Sequence, residues 1–431
     1  MDEKTLQSYL EVLKKEVTPA LGCTEPGAAA LCCAHAAKLL GRPVERVELS
    51  VSKYILKNGM GVGIPGTGMV GLGIASALGA VCADPEQELM VLAGADEARR
   101  EAAVRLLEAN EVEIMLADTA QQIYLCARVY GEGHCASAVI EGTHTGLTLL
   151  WRDGETVYTA ETSPAGDGAP ASAGKDWMTL AGIAAFAREV PIEELECLDV
   201  IIEYNGRIAR EGLSHDYGLQ VGKSILLQEE NGLISAGVGN YAIAMTAAAA
   251  DARMSGCEMP VMCTAGSGNQ GLTATVPLIA VAEKTGKGRE ETLRALALSI
   301  LVTVHTKRYI GRLSALCGCA IAAAIGCCCG LLQLMGGTLD QMCHGVNSMV
   351  ADISGIVCDG AKPGCALKIA TSVSSAIRCA ALAQNGIGAG GYDGIVDADV
   401  EKTLFNLGLL GSEGMGGTNA AILDIMLHKQ N

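Results

Sequence analysis

"ALCGCAIAAAIGCCCGLLQLMGG", residues 315–337, is almost free of polar side chains over about 20 positions, the length that crosses a bilayer. How it is read decides the fold. Its residues are mainly Ala, Gly and Cys, whose transfer into lipid gains little but which let helices pack closely. No aromatic belt or flanking charge asymmetry accompanies them. The stretch therefore reads as a buried helix or helix pair inside a large globular core, not as a membrane span.

Outward from it, the chain from about residue 178 to the end is a series of Ala-rich segments separated by glycine clusters, with few strand signals, and is expected to be all-α. The earlier half differs. A first amphipathic helix is expected to end near Val17, and a second to run from the connector "TPALGCTEPG" to Gly41. "VERVELSVSKYILKNG" (44–59) alternates like a strand, and a glycine-rich loop follows and leads into a helix. "EIMLADTAQQIYLCARVYGEGHCASAVIEG" and "LTLLWRDGETVYTAE" supply further strands. The expected fold class is α+β. An N-terminal helical segment, 1–45, carries Cys23 and packs on the catalytic domain. An α/β domain with a strand-containing sheet, 46–177, is followed by an α-helical, Gly/Ala-rich catalytic domain, 178–431. "GDGAPASAGKD" (166–176) reads as an exposed linker or long loop.

Composition narrows the function. The 431 residues are half apolar and carry a formal charge of -17, with no basic run to compensate a phosphate backbone, so no nucleic-acid partner is expected. The charged start "MDEKTLQSYLEVLKKEV" reads as an amphipathic helix rather than a secretory leader, and a cytoplasmic protein with no membrane partner is expected. Eighteen cysteines in so large a chain, some adjacent as in Cys32-Cys33, are expected to be reduced thiols. Most lie among Ala, Val, Ile and Leu, where Cys acts as a small hydrophobe.

Four cysteines have different surroundings. Cys317 and Cys319 follow Lys307, Arg308 and Arg312, while Cys358 and Cys365 lie in the polar, turn-forming segment "CDGAKPGCALK". Zinc favours two close Cys pairs, and the six-residue gap between Cys358 and Cys365 does not supply them. An iron-sulfur cluster tolerates wide spacing, and turn capping by two polar-flanked cysteines stays open as well. "TAGSGNQGLTATVPLIAVA" (264–282) runs a small-residue loop with Ser267, Asn269 and Gln270 into a helix. That arrangement suits a carboxylate, or else is an ordinary capped turn. "KNGMGVGIPGTG" (57–68) lacks the spacing of a phosphate loop or a dinucleotide fingerprint.

Taken together, "PALGCTEPGA" (19–28), "KNGMGVGIPGTG" (57–68), "AGSGNQGL" (265–272), "GRLSALCGC" (311–319) and "CDGAKPGCALK" (358–368) resemble, in order, the blocks of the L-cysteine desulfidase family. Those enzymes are related to the catalytic α part of iron-sulfur L-serine dehydratase. The resemblance implies a carbon-sulfur lyase that converts L-cysteine to pyruvate, ammonia and hydrogen sulfide without pyridoxal phosphate. It implies a [4Fe-4S] cluster held by Cys317, Cys358 and Cys365, with Cys319 as the alternative to Cys317. Cys23, near a helix N-terminus where a thiol pKa is depressed, is the expected α-proton base, and Lys57 the alternative. Ser267, Asn269, Gln270 and Asn58 are expected to hold the substrate. A homodimer is expected, since the helices are apolar and Gly-rich. The competing readings are an L-serine dehydratase and a non-catalytic iron-sulfur sensor.

Overall fold

The structure is a computed structural model that describes residues 1–160, 177–311 and 314–429. The linker expected at 166–176, like Arg312, lies outside the described residues. Among the described residues there are eight strands: β1 (Pro19–Ala20), β2 (Arg46–Val51), β3 (Val112–Leu116), β4 (Tyr124–Gly131), β5 (His134–Glu141), β6 (Leu147–Arg152), β7 (Glu155–Thr159) and β8 (Val261–Met262). The helices of the first half are α1 (Glu3–Glu16), α2 (Thr24–Leu40), α3 (Lys53–Gly59), α4 (Leu72–Cys82) and α5 (Glu97–Glu108). Those of the second half are α6 (Leu180–Glu189), α7 (Asp199–Ser214), α8 (Val221–Glu230), α9 (Val238–Met254), α10 (Gly268–Thr285), α11 (Arg289–Ile310), α12 (Ala322–Leu334), α13 (Leu339–Ile353), α14 (Cys365–Gln384), α15 (Val400–Leu409) and α16 (Thr418–Leu427).

The α+β expectation is met: a six-stranded mixed sheet in the order β3-β2-β4-β5-β6-β7 is followed by a helical second half. Only β2 and β3 run parallel; the other neighbours are antiparallel. Alternating Val47, Leu49 and Val51 of β2 are buried with Leu125, Ala127 and Val129 of β4 against α2 and α4. The strand expected over 44–59 stops at Val51, because Ser52 caps α3 by accepting from the Ile55 amide at 3.4 Å. The N-terminal segment does not stay together. Tyr9, Leu10 and Leu13 of α1 join the core of the helical half, whereas α2 packs under the sheet, so residues 1–45 split between the two halves.

In the helical half the stretch quoted first forms a turn and one helix, α12, whose cysteines are fully buried against α10, α11, α13 and α14. Small residues make this close approach possible. A Cβ at Gly326 would lie 2.3 Å from the Ser299 carbonyl, and one at Gly212 would lie 2.0 Å from that of Ala248. Among the described residues one helix, α14, is long and apolar enough to cross a membrane, and half of it is buried inside the protein.

Candidate active site

Two short pairings build one pocket where the halves meet. β1 pairs antiparallel with β8, and the Cys263 amide donates to the Thr18 carbonyl at 2.8 Å, so the connector holding Cys23 lies beside loop 264–267. Asn205 locks β8 from α7, donating to the Met262 carbonyl at 3.2 Å and accepting from its amide at 2.8 Å. Farther along, Leu316 pairs with Val357. The Cys317 amide donates to Ile356 O at 2.9 Å and the Cys358 amide to Ala315 O at 2.7 Å, which brings the cysteines of two distant segments together. Cys365 is the first residue of α14 and lines the same pocket.

The pocket has a volume of about 100 Å³ and takes in Cys23, Lys57, Asn58, Ser267, Asn269, Gln270, Cys317, Cys319, Cys358 and Cys365, so all the residues singled out in the sequence border one cavity. Cys317 and Cys319 have their sulfurs 3.4 Å apart. The hydrogen bond with Cys317, then burial, lifts the Cys358 thiol well above its ordinary range, and burial lifts that of Cys365. Asp359 is held at about 2. Burial works to raise its carboxyl, but Lys362, at 2.5 Å, and Lys368 outweigh that effect.

Cys23 caps the N-terminus of α2, as expected, yet its thiol pKa is not depressed. Burial first, and then the charge of Glu25, push it well above the ordinary value, and the thiol donates to Glu25 Oε2 at 3.0 Å. Glu25 also accepts from Thr24 Oγ1 at 3.0 Å and from Asn58 Nδ2 at 2.9 Å. Burial favours its protonation, but His144 and these hydrogen bonds prevail and keep its pKa low. Lys57 is committed elsewhere: its Nζ donates to the Cys358 carbonyl at 2.9 Å and to Asn419 Oδ1 of α16 at 2.7 Å. That clasp ties α3 to the cysteine loop. The tight approach of Gly360, whose Cβ would lie 2.3 Å from the Lys57 carbonyl, belongs to the same clasp.

Loop 264–267 is a two-residue turn with φ of +50° at Ala265 and +77° at Gly266, closed by Thr264 and Ser267, whose amides and carbonyls bond reciprocally at 3.2 Å. Ala265 holds this left-handed conformation at a cost of roughly 1–2 kcal/mol. The turn sets Ser267 as the N-cap of α10 with no cap bond from its hydroxyl. Asn269 instead turns to Arg253, accepting from Nη1 at 2.9 Å. The glycines of 57–68 serve close packing: a Cβ at Gly63 would lie 2.5 Å from the Ser255 backbone.

Glu25, His144, Arg253 and Lys368 line the pocket too and were not singled out from sequence. A charged residue just before Pro26, and an Arg in the apolar run "MTAAAADARM", are signals for Glu25 and Arg253. His144 lies in a strand connection that gives none.

The cluster that the resemblance implies needs soft donors and compensating positive charge. Among the described residues no three His, Cys, Asp or Glu side chains are grouped to hold a single metal ion. A cluster makes a different demand, since each thiolate bonds a separate iron and the assembly carries net negative charge. Lys57, Arg253, Lys307 and Lys368 border the pocket against the carboxylates of Glu25 and Asp359, a surplus of positive charge around soft sulfur donors. In donor type and in charge the residues fit such a group.

A family model described as the serine dehydratase alpha chain matches residues 86–424. The chain belongs to that family, and its activity is of the dehydratase-type lyase class. A UPF0597 protein of Oleidesulfovibrio alaskensis is 44% identical over 423 residues, covering 98% of each chain. One from Clostridium perfringens is 42% identical over 424 residues with the same coverage, and one from Bacteroides fragilis is 39% identical over 430 residues, the whole of both chains.

Proposed function

We propose that the chain is an L-cysteine desulfidase that releases hydrogen sulfide from L-cysteine and leaves pyruvate and ammonia. The observation supporting this is that Cys317 and Cys358, held side by side by the 316–357 pairing, share one small pocket with Cys365, Cys23 and the start of α10. Cys317, Cys358 and Cys365 would hold a [4Fe-4S] cluster, with Cys319 against Cys317. When bound, the cluster supplies a Lewis acid that draws electron density from the departing sulfur.

The remaining chemistry falls to the chain. Cys23 takes the α-proton of the substrate while its own thiol proton passes to Glu25 Oε2, to which it is already hydrogen-bonded at 3.0 Å. Asn58 and Thr24 hold Glu25 in place for this transfer. Ser267, the amides at the start of α10 and Gln270 receive the substrate's polar groups. Lys57 serves as a positioning residue, since both its hydrogen bonds hold the cysteine loop. Loss of the β-sulfur gives aminoacrylate, which tautomerises and hydrolyses in water to pyruvate and ammonia.

The family description favours one further reading, in which the leaving group is the hydroxyl of L-serine. On either reading the enzyme works without pyridoxal phosphate, in the cytoplasm, as a homodimer with no nucleic-acid or membrane partner. The deciding experiment is a pair of anaerobic assays on reconstituted protein. Sulfide and pyruvate from cysteine, well above pyruvate from serine, is the expected result. Pyruvate from serine alone transfers the assignment to serine dehydratase. A protein that takes up no iron under anaerobic reconstitution removes both.

A further inference from the structure

α9 buries two ionisable side chains two residues apart. Asp251 is answered in part by backbone: its Oδ2 accepts from the Gly222 amide at 3.2 Å at the start of α8, while its Oδ1 is buried without a hydrogen-bond partner. Arg253, only 2% exposed, forms no salt bridge among the described residues. Its Nη2 donates to the Gly22 carbonyl at 2.7 Å and its Nη1 to Asn269 Oδ1 at 2.9 Å, both neutral acceptors. Its Nε is buried with no partner, and among the described residues it forms no ion pair. A guanidinium stays protonated, so this is a buried charge with no directly paired anion among the described residues, although Glu25 lines the same pocket, and such a charge is unfavourable.

The surroundings add to the imbalance. A Cβ on Gly268 would stand 2.4 Å from Arg253 Nε and 2.6 Å from its Cζ, so the guanidinium lies against the first residue of an 18-residue helix, at that helix's positive end. Gln270 Oε1, also buried and without a partner, lines the same cavity, as does Lys307. Four cations (Lys57, Arg253, Lys307 and Lys368) and a helix N-terminus thus border a pocket of about 100 Å³ that holds two carboxylates, Glu25 and Asp359.

We infer that Arg253 binds the α-carboxylate of the substrate, and that the pocket therefore accepts only small α-amino acids whose carboxylate is free. The inference rests on the reading of the pocket as an amino-acid site. Asn269 is then a positioning residue: its amide fixes Arg253 through Nη1 and donates to Met254 Sδ at 3.4 Å. Ser267 Oγ and the first amides of α10 complete the carboxylate's hydrogen bonds. Amides and esters of the same amino acids are excluded, because they leave the guanidinium unpaired.

The test uses L-alanine, which has the carboxylate and ammonium but no leaving group, and L-alaninamide, titrated calorimetrically into anaerobically reconstituted protein. Alanine is expected to bind and alaninamide to bind at least tenfold more weakly. Arg253→Gln should lose alanine binding. If that variant does not fold, Asn269→Asp answers the same question. It sets a fixed carboxylate on Nη1 at the same size, so the melting temperature should rise while alanine affinity falls at least tenfold. Equal binding of alaninamide, no alanine binding by the parent protein, or Asn269→Asp binding alanine as the parent does would each overturn the inference. If neither cysteine nor serine is consumed while alanine binding still depends on Arg253, the enzyme reading fails and this one stands.

Discussion

Two groups of cysteines lie close together in the chain, and burial alone does not tell them apart. Cys327, Cys328 and Cys329 of α12 are fully buried, and burial is the sole cause lifting the Cys327 thiol. Cys317 is buried as well, but its foremost influence is a neighbouring sulfur, that of Cys319. The first group faces helix backbone and apolar side chains; a Cβ on Gly345 would sit 3.0 Å from Cys328 Sγ. The second shares a cavity with Lys57, Lys368 and Asn58. What distinguishes a packing cysteine from a candidate ligand is therefore the chemistry it faces, not its exposure.

The largest expected effect tests that distinction directly. Cys358→Ser, Cys317→Ser or Cys365→Ser should each abolish retention of a cluster, read as iron and acid-labile sulfide per chain together with visible absorbance. Cys328→Ser should leave the iron content unchanged and cost on the order of 1–2 kcal/mol in urea unfolding, from a buried hydroxyl. Cys319→Ser should keep the cluster. Loss there with retention in Cys317→Ser would exchange the two roles, and iron lost equally from the α12 variant would break the comparison.

Next in size is Cys23, which shares an apolar cluster with Cys365 but caps a helix. Cys23→Ser is expected to retain the cluster and to lose turnover by about 10²- to 10⁴-fold, the range for removing a positioned base. Glu25→Gln should lose turnover to a similar degree, because it leaves the thiol proton nowhere to go. Retained turnover in Glu25→Gln, measured as sulfide release, would separate the two residues and restore Cys23 as a base acting alone.

The parts of the fold that were legible in the sequence are those governed by local pattern. Alternation marked β2, β4 and β5, and Gly41 marked the end of α2, where it takes φ of +68°. The end of β2 was missed because Ser52 opens a helix inside an apparent strand pattern. The split of residues 1–45 was missed because α1 and α2 are each apolar enough to pack on either half, and only the tertiary arrangement chooses. At the pocket, residues inside recognisable blocks were legible. Arg253 and His144 come from a helix and a strand connection whose contribution exists only once α9 and the sheet meet the cysteine loop. The depressed thiol pKa expected for Cys23 followed from the helix N-terminus alone. It was overturned by burial and by Glu25, which the helix argument does not contain.

The smallest expected effect sharpens the contrast from the opposite side, at a buried ionisable group that the backbone answers at one of its two oxygens. Burial lifts the Asp251 carboxyl from its ordinary 3.8 to about 6, against the opposing pull of the amides of Gly222, Val221 and Leu219. The folded protein therefore keeps this proton at pH values where the unfolded chain has released it. The resulting stabilisation is fully present below about pH 4 and is lost as the pH rises through about 6, on the order of 2 kcal/mol in all. Asp251→Asn keeps an oxygen for the Gly222 amide and cannot ionise. Its melting temperature should match the parent's near pH 4 and exceed it by a few degrees above pH 7. A difference that stays constant across that range would mean that the amides at the start of α8 compensate the charged form fully. Asp251 would then be a satisfied anion, and the unanswered charge of α9 would be Arg253 alone.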